Sequence, residues 1–328
     1  MPIPRAVIAD QLGPLENYSL REHDPGAPGA GEVRIAIRAA GVSFVDVLNA
    51  TGKYQGKAPV PFIPGSEFAG VIEALGSGVS GLAVGQPVLA SHWGGAFAEA
   101  AVVSANTVTA MAEGMAFDVA AVFRVSVLTA WHALVDRGQL QAGETLLVLG
   151  AGGATGYAAV QIGKYLGAHV IASATSEEKR AMALVAGADA AVDARSPQWR
   201  ELVKDANQGK AVDVVFDPVG GDSTEPAFRS LAVFGRHLVV GFARGMTQLP
   251  TNLPLLKGAS LVGVNLQQWS LAAPEQAAAT TQKIMALGAA GKFWPVIAKR
   301  YPLAEFATAM NEVAAGKTAG RVVLLTQS

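Results

Sequence analysis

Apolar positions along the chain follow two different rhythms. Up to about residue 123 they fall in short runs cut by glycine and proline. "EVRIAIRAAGV" (32–42) sets Val33, Ile35 and Ile37 against charged or small neighbours, the two-residue period of a half-buried strand. "EFAGVIEALG", "PVLASHW" and "AFAEAAVV" are similar runs, separated by "PGS", "GSGVSG" and "GG". A compact, mainly β domain is predicted here.

From about residue 146 the rhythm changes. The runs "TLLVLG", "HVIASA", "DAAVDA", "VDVVFD", "RHLVVG" and "SLVGVN" alternate with longer helical stretches. Strands apolar on both faces, alternating with helices, predict a parallel sheet covered by helices. A helix near residues 274–290, a last helix in "LAEFATAMNEVAAG" and a final strand in "RVVLLT" follow. The fold class is therefore α/β, a mainly β domain plus a parallel-sheet domain.

One segment of the second half carries chemistry. In "TLLVLGAGGATGYAAVQIGKYLGAHVIASA" (145–174) a strand enters, a glycine turn follows, a helix returns and a second strand leaves. That is one βαβ unit. Ala158, Ile162, Tyr165 and Leu166 share a helix face that can pack on the sheet. Gly153 lets backbone approach a pyrophosphate, Gly156 lets the helix sit close to the strand, and the amides of Ala154 and Thr155 open the helix toward phosphate. The pattern departs from G-x-G-x-x-G, because Ala151 stands where the first glycine is expected. A tight turn that binds nothing is the alternative.

The second strand ends "ASATSEEKR". A site for NADH calls for a carboxylate at that end, to bond the ribose 2′-hydroxyl. Here the position is near Ala174, flanked by Ser173, Thr175 and Ser176, with Lys179 and Arg180 behind. Hydroxyls and cations suit a 2′-phosphate, so NADPH is the expected cofactor. The same stretch also reads as a helix start, Thr175 and Glu178 having capping-box spacing.

Composition narrows the classes. Half of the 328 residues are apolar, 16% are charged and the net charge is −1 without a basic run, so nucleic-acid binding is not expected. The chain has no cysteine, which excludes disulfides, thiol nucleophiles and thiolate zinc sites. "MPIPRAVIAD" has no apolar signal core and no run approaches the ~18 residues of a membrane span. A cytoplasmic protein that does not enter membranes is the expectation.

With these stretches in view, the sequence resembles the zinc-free quinone oxidoreductases of the medium-chain dehydrogenase/reductase superfamily, the group that includes zeta-crystallin. The resemblance rests on "GEVRIAIRAAGVSFVDVLNATGKY", "PFIPGSEFAGVIEALGSGVSG", "LTAWHAL", the glycine-turn segment, "VDVVFDPVGG", "GRHLVVGFARG" and "AGRVVLLT", which span nearly the whole chain. It implies a GroES-like catalytic domain (1–124 and 266–328) and a doubly wound Rossmann domain binding NADPH (125–265). It also implies that the C-terminus returns to the catalytic domain. Where zinc-dependent relatives hold metal with a Cys, a His and a Cys, Ser43, Ser66 and Val125 stand here, and the implied site has no metal.

The implied activity is hydride transfer from NADPH to a quinone or an α,β-unsaturated carbonyl. Tyr54 matches a family tyrosine and is the candidate proton or hydrogen-bond donor, while Ser43 replaces a family Asn and Leu48 a further Tyr. Thr129 matches a position beside the nicotinamide, Gly241, Phe242 and Ala243 lie in the cofactor-side segment, and Arg321 matches an arginine that reaches the pyrophosphate. Asp46, either cleft-facing or capping the helix that starts beside it, joins His92 and Trp93 as candidate substrate-pocket residues. Arg124 has no assigned role. Alternatives are an enoyl-thioester reductase and a low-turnover, crystallin-like NADPH-binding protein. The apolar strand "GASLVGVNL" (258–266) predicts a homodimer formed through the sheet edge.

Overall fold

A computed structural model describes residues 2–54 and 56–326. The chain divides into two compact units, residues 1–125 with 295–328, and residues 126–294.

The first unit opens with a hairpin of β1 (Arg5–Ile8) and β2 (Ser19–Glu22), paired antiparallel. The long strand β3 (Glu32–Val42) is its spine. Its alternating pattern buries Val33, Ile35 and Ile37 almost completely, as the two-residue period predicts. The short helix α1 (Phe44–Ala50) follows, then β4 (Glu67–Leu75), β5 (Pro87–Ser91), β6 (Ala100–Ser104) and β7 (Val108–Ala110). A four-residue helix, α2 (Phe117–Ala120), leads to α3 (Arg124–Trp131).

The second unit is a six-stranded parallel sheet: β8 (Thr145–Leu149), β9 (His169–Ala174), β10 (Ala190–Asp193), β11 (Val212–Asp217), β12 (Leu231–Val239) and β13 (Ser260–Gly263). Their order across the sheet is β10-β9-β8-β11-β12-β13. It is the doubly wound order, with the direction of winding reversing between β8 and β11. The connecting helices are α4 (Ala154–Tyr165), α5 (Glu177–Val185), α6 (Trp199–Ala206), α7 (Thr224–Arg229) and α8 (Asn252–Lys257). Leu147, Ile171, Val215, Phe228 and Leu231 are at the centre of one of its cores.

Two further helices, α9 (Leu266–Ala272) and α10 (Pro274–Ala289), correct the boundary expected at residue 266. They stay with the second unit because aromatic contacts hold them there. Trp269 stacks on His132 with ring centroids 4.3 Å apart, and Phe293 meets Tyr165 edge-on at 5.6 Å. Tyr165 is 45% exposed, so its helix face buries Ala158 and Ile162 and only brushes its neighbours at Tyr165. β14 (Ile297–Pro302), the helix α11 (Phe306–Ala315) and β15 (Arg321–Leu325) then complete the first unit. β15 pairs antiparallel with β3, so the C-terminal strand closes the sheet begun near the N-terminus.

Candidate active site

The glycine turn lies at the C-terminal end of β8, beside the point where the sheet reverses its winding, the usual ligand end of such sheets. Gly153 is the N-cap of α4 and no side chain caps the helix, so the positive end of its dipole is left to its own backbone amides. Gly156 is there by necessity. A Cβ at that position would sit 2.2 Å from the Gly150 carbonyl oxygen, and backbone cannot yield. Sequence reasoning missed Gly152, although the adjacent Gly-Gly pair was a signal. A Cβ there would lie 2.5 Å from Cβ and Cγ of Lys179, so the lysine stem packs directly on the turn. Burial lowers the Lys179 ammonium from its ordinary pKa. A turn with almost no side chains, an uncapped helix start and a lysine laid over it fit the diphosphate of a dinucleotide.

At the end of β9 the expected cluster is thinned. Ser173 does not face a ligand: it is buried, and its hydroxyl accepts a hydrogen bond from Trp199 Nε1 at 2.8 Å. The helix cap is Ser176 rather than Thr175, its hydroxyl accepting from the Lys179 amide at 3.3 Å. Arg180 sits 3.4 Å from Asp193 and donates to the Ala174 carbonyl, so part of its charge is already compensated. Thr175 is half-buried beside them.

The loop after β12 is tied to the end of β11. The amide of Gly241 donates to Asp217 O, that of Ala243 to Pro218 O, and Phe242 between them is 46% exposed. Beneath this loop the buried Asp217 carboxylate accepts from the amides of Val219 and Gly220, from Thr224 Oγ1 and from His237 Nε2 at 3.0 Å. Burial alone would raise its pKa. The His237 ring and the two amides outweigh it and hold the carboxyl below the ordinary aspartate range.

In the first unit, Ser43 and Asp46 form a capping box at the start of α1. Asp46 Oδ2 accepts from the Ser43 amide at 2.8 Å, and Oδ1 accepts from Ser66 Oγ at 2.8 Å. The carboxylate is therefore committed to structure, which corrects its candidacy as a substrate-facing group. Glu67, overlooked in the sequence, accepts from the Val125 amide at 2.7 Å and pairs with Arg321 at 3.7 Å. Ser43, Ser66 and Val125, the positions where relatives carry metal ligands, thus converge on two buried carboxylates. Among the described residues no cluster of three or more His, Cys, Asp and Glu could hold a metal ion.

Arg321 is only 6% exposed and lies in this cluster, which corrects its expected reach to a pyrophosphate. Its guanidinium is bonded to Val122 O and faces Glu67. Burial pushes the Asp46 and Glu67 carboxyls above their ordinary range, and Arg321 partly offsets it. Arg124 gains a role: Nη1 donates to Ser91 Oγ at 2.8 Å and to Thr107 O at 2.9 Å, bracing the end of β5.

Directly after β5 come His92 and Trp93, both exposed. His92 Nδ1 lies 3.2 Å from Gly94 O. Trp93 meets the Tyr54 ring at 5.1 Å and a 53° tilt. The Lys53 and Tyr54 amides both donate to Leu48 O at the end of α1, which fixes where the tyrosine leaves the helix. The structure thus brings Tyr54 against Trp93. Thr129 lies half-buried on α3.

Comparison with known proteins agrees with this geometry. The alcohol dehydrogenase GroES-like domain matches residues 29–113, and the zinc-binding dehydrogenase domain matches residues 154–283. Quinone oxidoreductase-like protein 2 homolog from Nematostella vectensis is 32% identical over 98% of this chain and 89% of its own length. The mycobacterial protein Rv1454c, solved in complex with NADPH, superposes with a TM-score of 0.90 at 28% identity, covering 98% of this chain and 99% of that one. CurK enoyl reductase superposes with a TM-score of 0.90 at 26% identity, covering 99% of each chain. With a glycine turn at the head of a doubly wound sheet, a GroES-like unit closed by the C-terminal strand and relatives matched almost end to end, the chain belongs to the quinone oxidoreductase-like family of the medium-chain dehydrogenase/reductase superfamily, oxidoreductases that work with a nicotinamide cofactor.

Proposed function

We propose that the protein reduces quinones or α,β-unsaturated carbonyls with NADPH and without zinc. The carrying observation is the uncapped glycine turn with Lys179 laid across it. No carboxylate stands at the end of β9 to repel a 2′-phosphate, and Thr175 and Lys179 offer a hydroxyl and a cation there. NADPH, when bound, supplies the hydride. The chain's own part is to orient the acceptor and to stabilise the negative charge that grows on its oxygen. Serines and a valine at the former ligand positions leave that task to a hydroxyl. Tyr54 is the donor proposed, with Trp93 holding its ring; a hydrogen bond that strengthens as charge develops is worth about 2–4 kcal/mol in a dry site.

The likeness to an enoyl reductase favours a second reading, with an enoyl thioester as acceptor. A panel of quinones, enones and enoyl thioesters assayed with NADPH separates the two. Tyr54→Phe should lower kcat/KM for the true acceptor about ten- to a hundredfold, with NADPH affinity unchanged. Turnover confined to enoyl thioesters would overturn the first reading, and unchanged kinetics on every acceptor would remove Tyr54 from it. NADPH should bind about tenfold tighter than NADH. β13 is the edge of its sheet, with Leu261 half exposed, so we also propose that a second copy pairs there; a monomer by light scattering would contradict this.

A further inference from the structure

The second unit has another concave feature, at the far end of its sheet from the glycine turn. β8 and β12 both run parallel to β11, so the turn after Leu149 and the start of β12 at Leu231 lie at opposite ends. Beside that start, among α6, α7 and α8, is a cavity of about 270 Å3 lined by Arg200, Phe228, Arg229, Leu253, Leu256 and Lys257.

Among the described residues no carboxylate lines it. Arg229 is paired with Glu225, one helical turn back on α7, at 2.7 Å. Lys257 donates from Nζ to the carbonyls of Arg229, at 2.7 Å, and of Leu231. That uses two of the three protons of its ammonium. Arg200 has no hydrogen bond or ion pair among the described residues. Three cations set against one carboxylate leave two positive charges uncompensated. Burial, then the fields of Arg200 and Arg229, lower the Lys257 ammonium from its ordinary pKa.

Helix geometry accounts for only part of this. A cation at the last turn of α7 or α8 is favoured by the helix dipole, which explains Arg229 and Lys257. Arg200 is the second residue of α6, where the dipole disfavours a cation. The cavity floor is apolar, with Phe228 and Leu253 buried beneath it and Leu256 exposed at the rim.

We propose that this cavity binds an organic phosphomonoester. The dianion matches the two surplus charges, and guanidinium forks suit phosphate oxygens. The apolar part of the ligand covers Phe228, Leu253 and Leu256, which an inorganic ion would leave unused. The site is independent of the cofactor turn and of the reading built on it.

Calorimetric titration of the full chain with 1-naphthyl phosphate tests the proposal. One equivalent should bind, and 1-naphthol and inorganic phosphate should each bind at least about tenfold more weakly, since each lacks one half of the match. Arg200→Gln, on an exposed side chain without partners, should weaken binding about tenfold while the protein unfolds at the wild-type temperature. Lys257→Met together with Arg200→Gln should abolish it, and Lys179→Ala should leave it unchanged. No binding, equal affinity in Arg200→Gln, or inorganic phosphate binding as tightly as the ester would each overturn the proposal. Loss of binding in Lys179→Ala would assign the ester to the cofactor turn instead, and would overturn it as well.

Discussion

The turn between β8 and α4 and the buried charge cluster at α1 handle polar groups by opposite means. The turn has almost no side chains: Gly150, Gly152, Gly153 and Gly156 strip the backbone bare, and a helix start supplies the charge complement. The cluster is all side chains: Asp46, the adjacent Ser66 and Glu67, and Arg321 come from three separate places in the chain and answer one another. At Gly156 a single added methyl group meets fixed backbone. In the cluster a removed partner leaves a charge stranded. The first region should therefore be intolerant of added volume, and the second of altered charge.

The strongest way to break this contrast is Gly156→Val. Its Cβ would lie 2.2 Å from Gly150 O. The NADPH dissociation constant should rise at least about a hundredfold. A fluorescence titration giving wild-type affinity would show that the turn does not hold the cofactor. Next comes Glu67→Gln, which leaves Arg321 buried without its paired carboxylate and should cost about 3 kcal/mol by denaturant unfolding. Adding Arg321→Met should recover part of that loss, because the stranded charge is gone. A double variant no better than the single would mean that packing, not charge, dominates the cluster.

Asp217 sharpens the comparison from within the second unit. Burial raises the carboxyls of Asp46 and Glu67, whereas the His237 ring and two amides bring Asp217 below its ordinary range. A depressed carboxyl stabilises the fold fully above its unfolded pKa, near 3.9. That contribution disappears as pH falls through the lower folded value. Asp217→Asn should therefore cost about 2 kcal/mol at neutral pH. The gap to wild type should close as the pH falls below about 4; a gap constant down to pH ~2 would contradict the assignment. The smallest effect expected is at the capping box. Ser43→Ala should cost about 1 kcal/mol and leave NADPH affinity unchanged.

What could be read without coordinates follows from range. The strands of the first unit, the βαβ unit and its glycine turn are local patterns of hydrophobicity and glycine, and each appears where the pattern predicts. The backbone at Gly156 is constrained by Gly150, six residues away, so the sequence already carries that constraint. Helix caps were half legible: Ser43 and Asp46 are three apart, but spacing alone favoured Thr175 where Ser176 does the capping.

By itself, then, the sequence determined the order of elements, the fold class and the turn that fits a dinucleotide, because these depend on neighbours within one or two turns of chain. Only the tertiary structure decided which polar groups remain available to a ligand. Ser173 looked like a phosphate contact until Trp199, 26 residues on, took its hydroxyl. Arg321 looked like a pyrophosphate contact until Glu67, more than 200 residues earlier, paired with it. Arg124 had no meaning before Ser91 and Thr107 were brought to it. A hydroxyl or a charge carries the same letter whether it is spent or free, and what spends it is whichever residue the fold sets within about 3 Å of it.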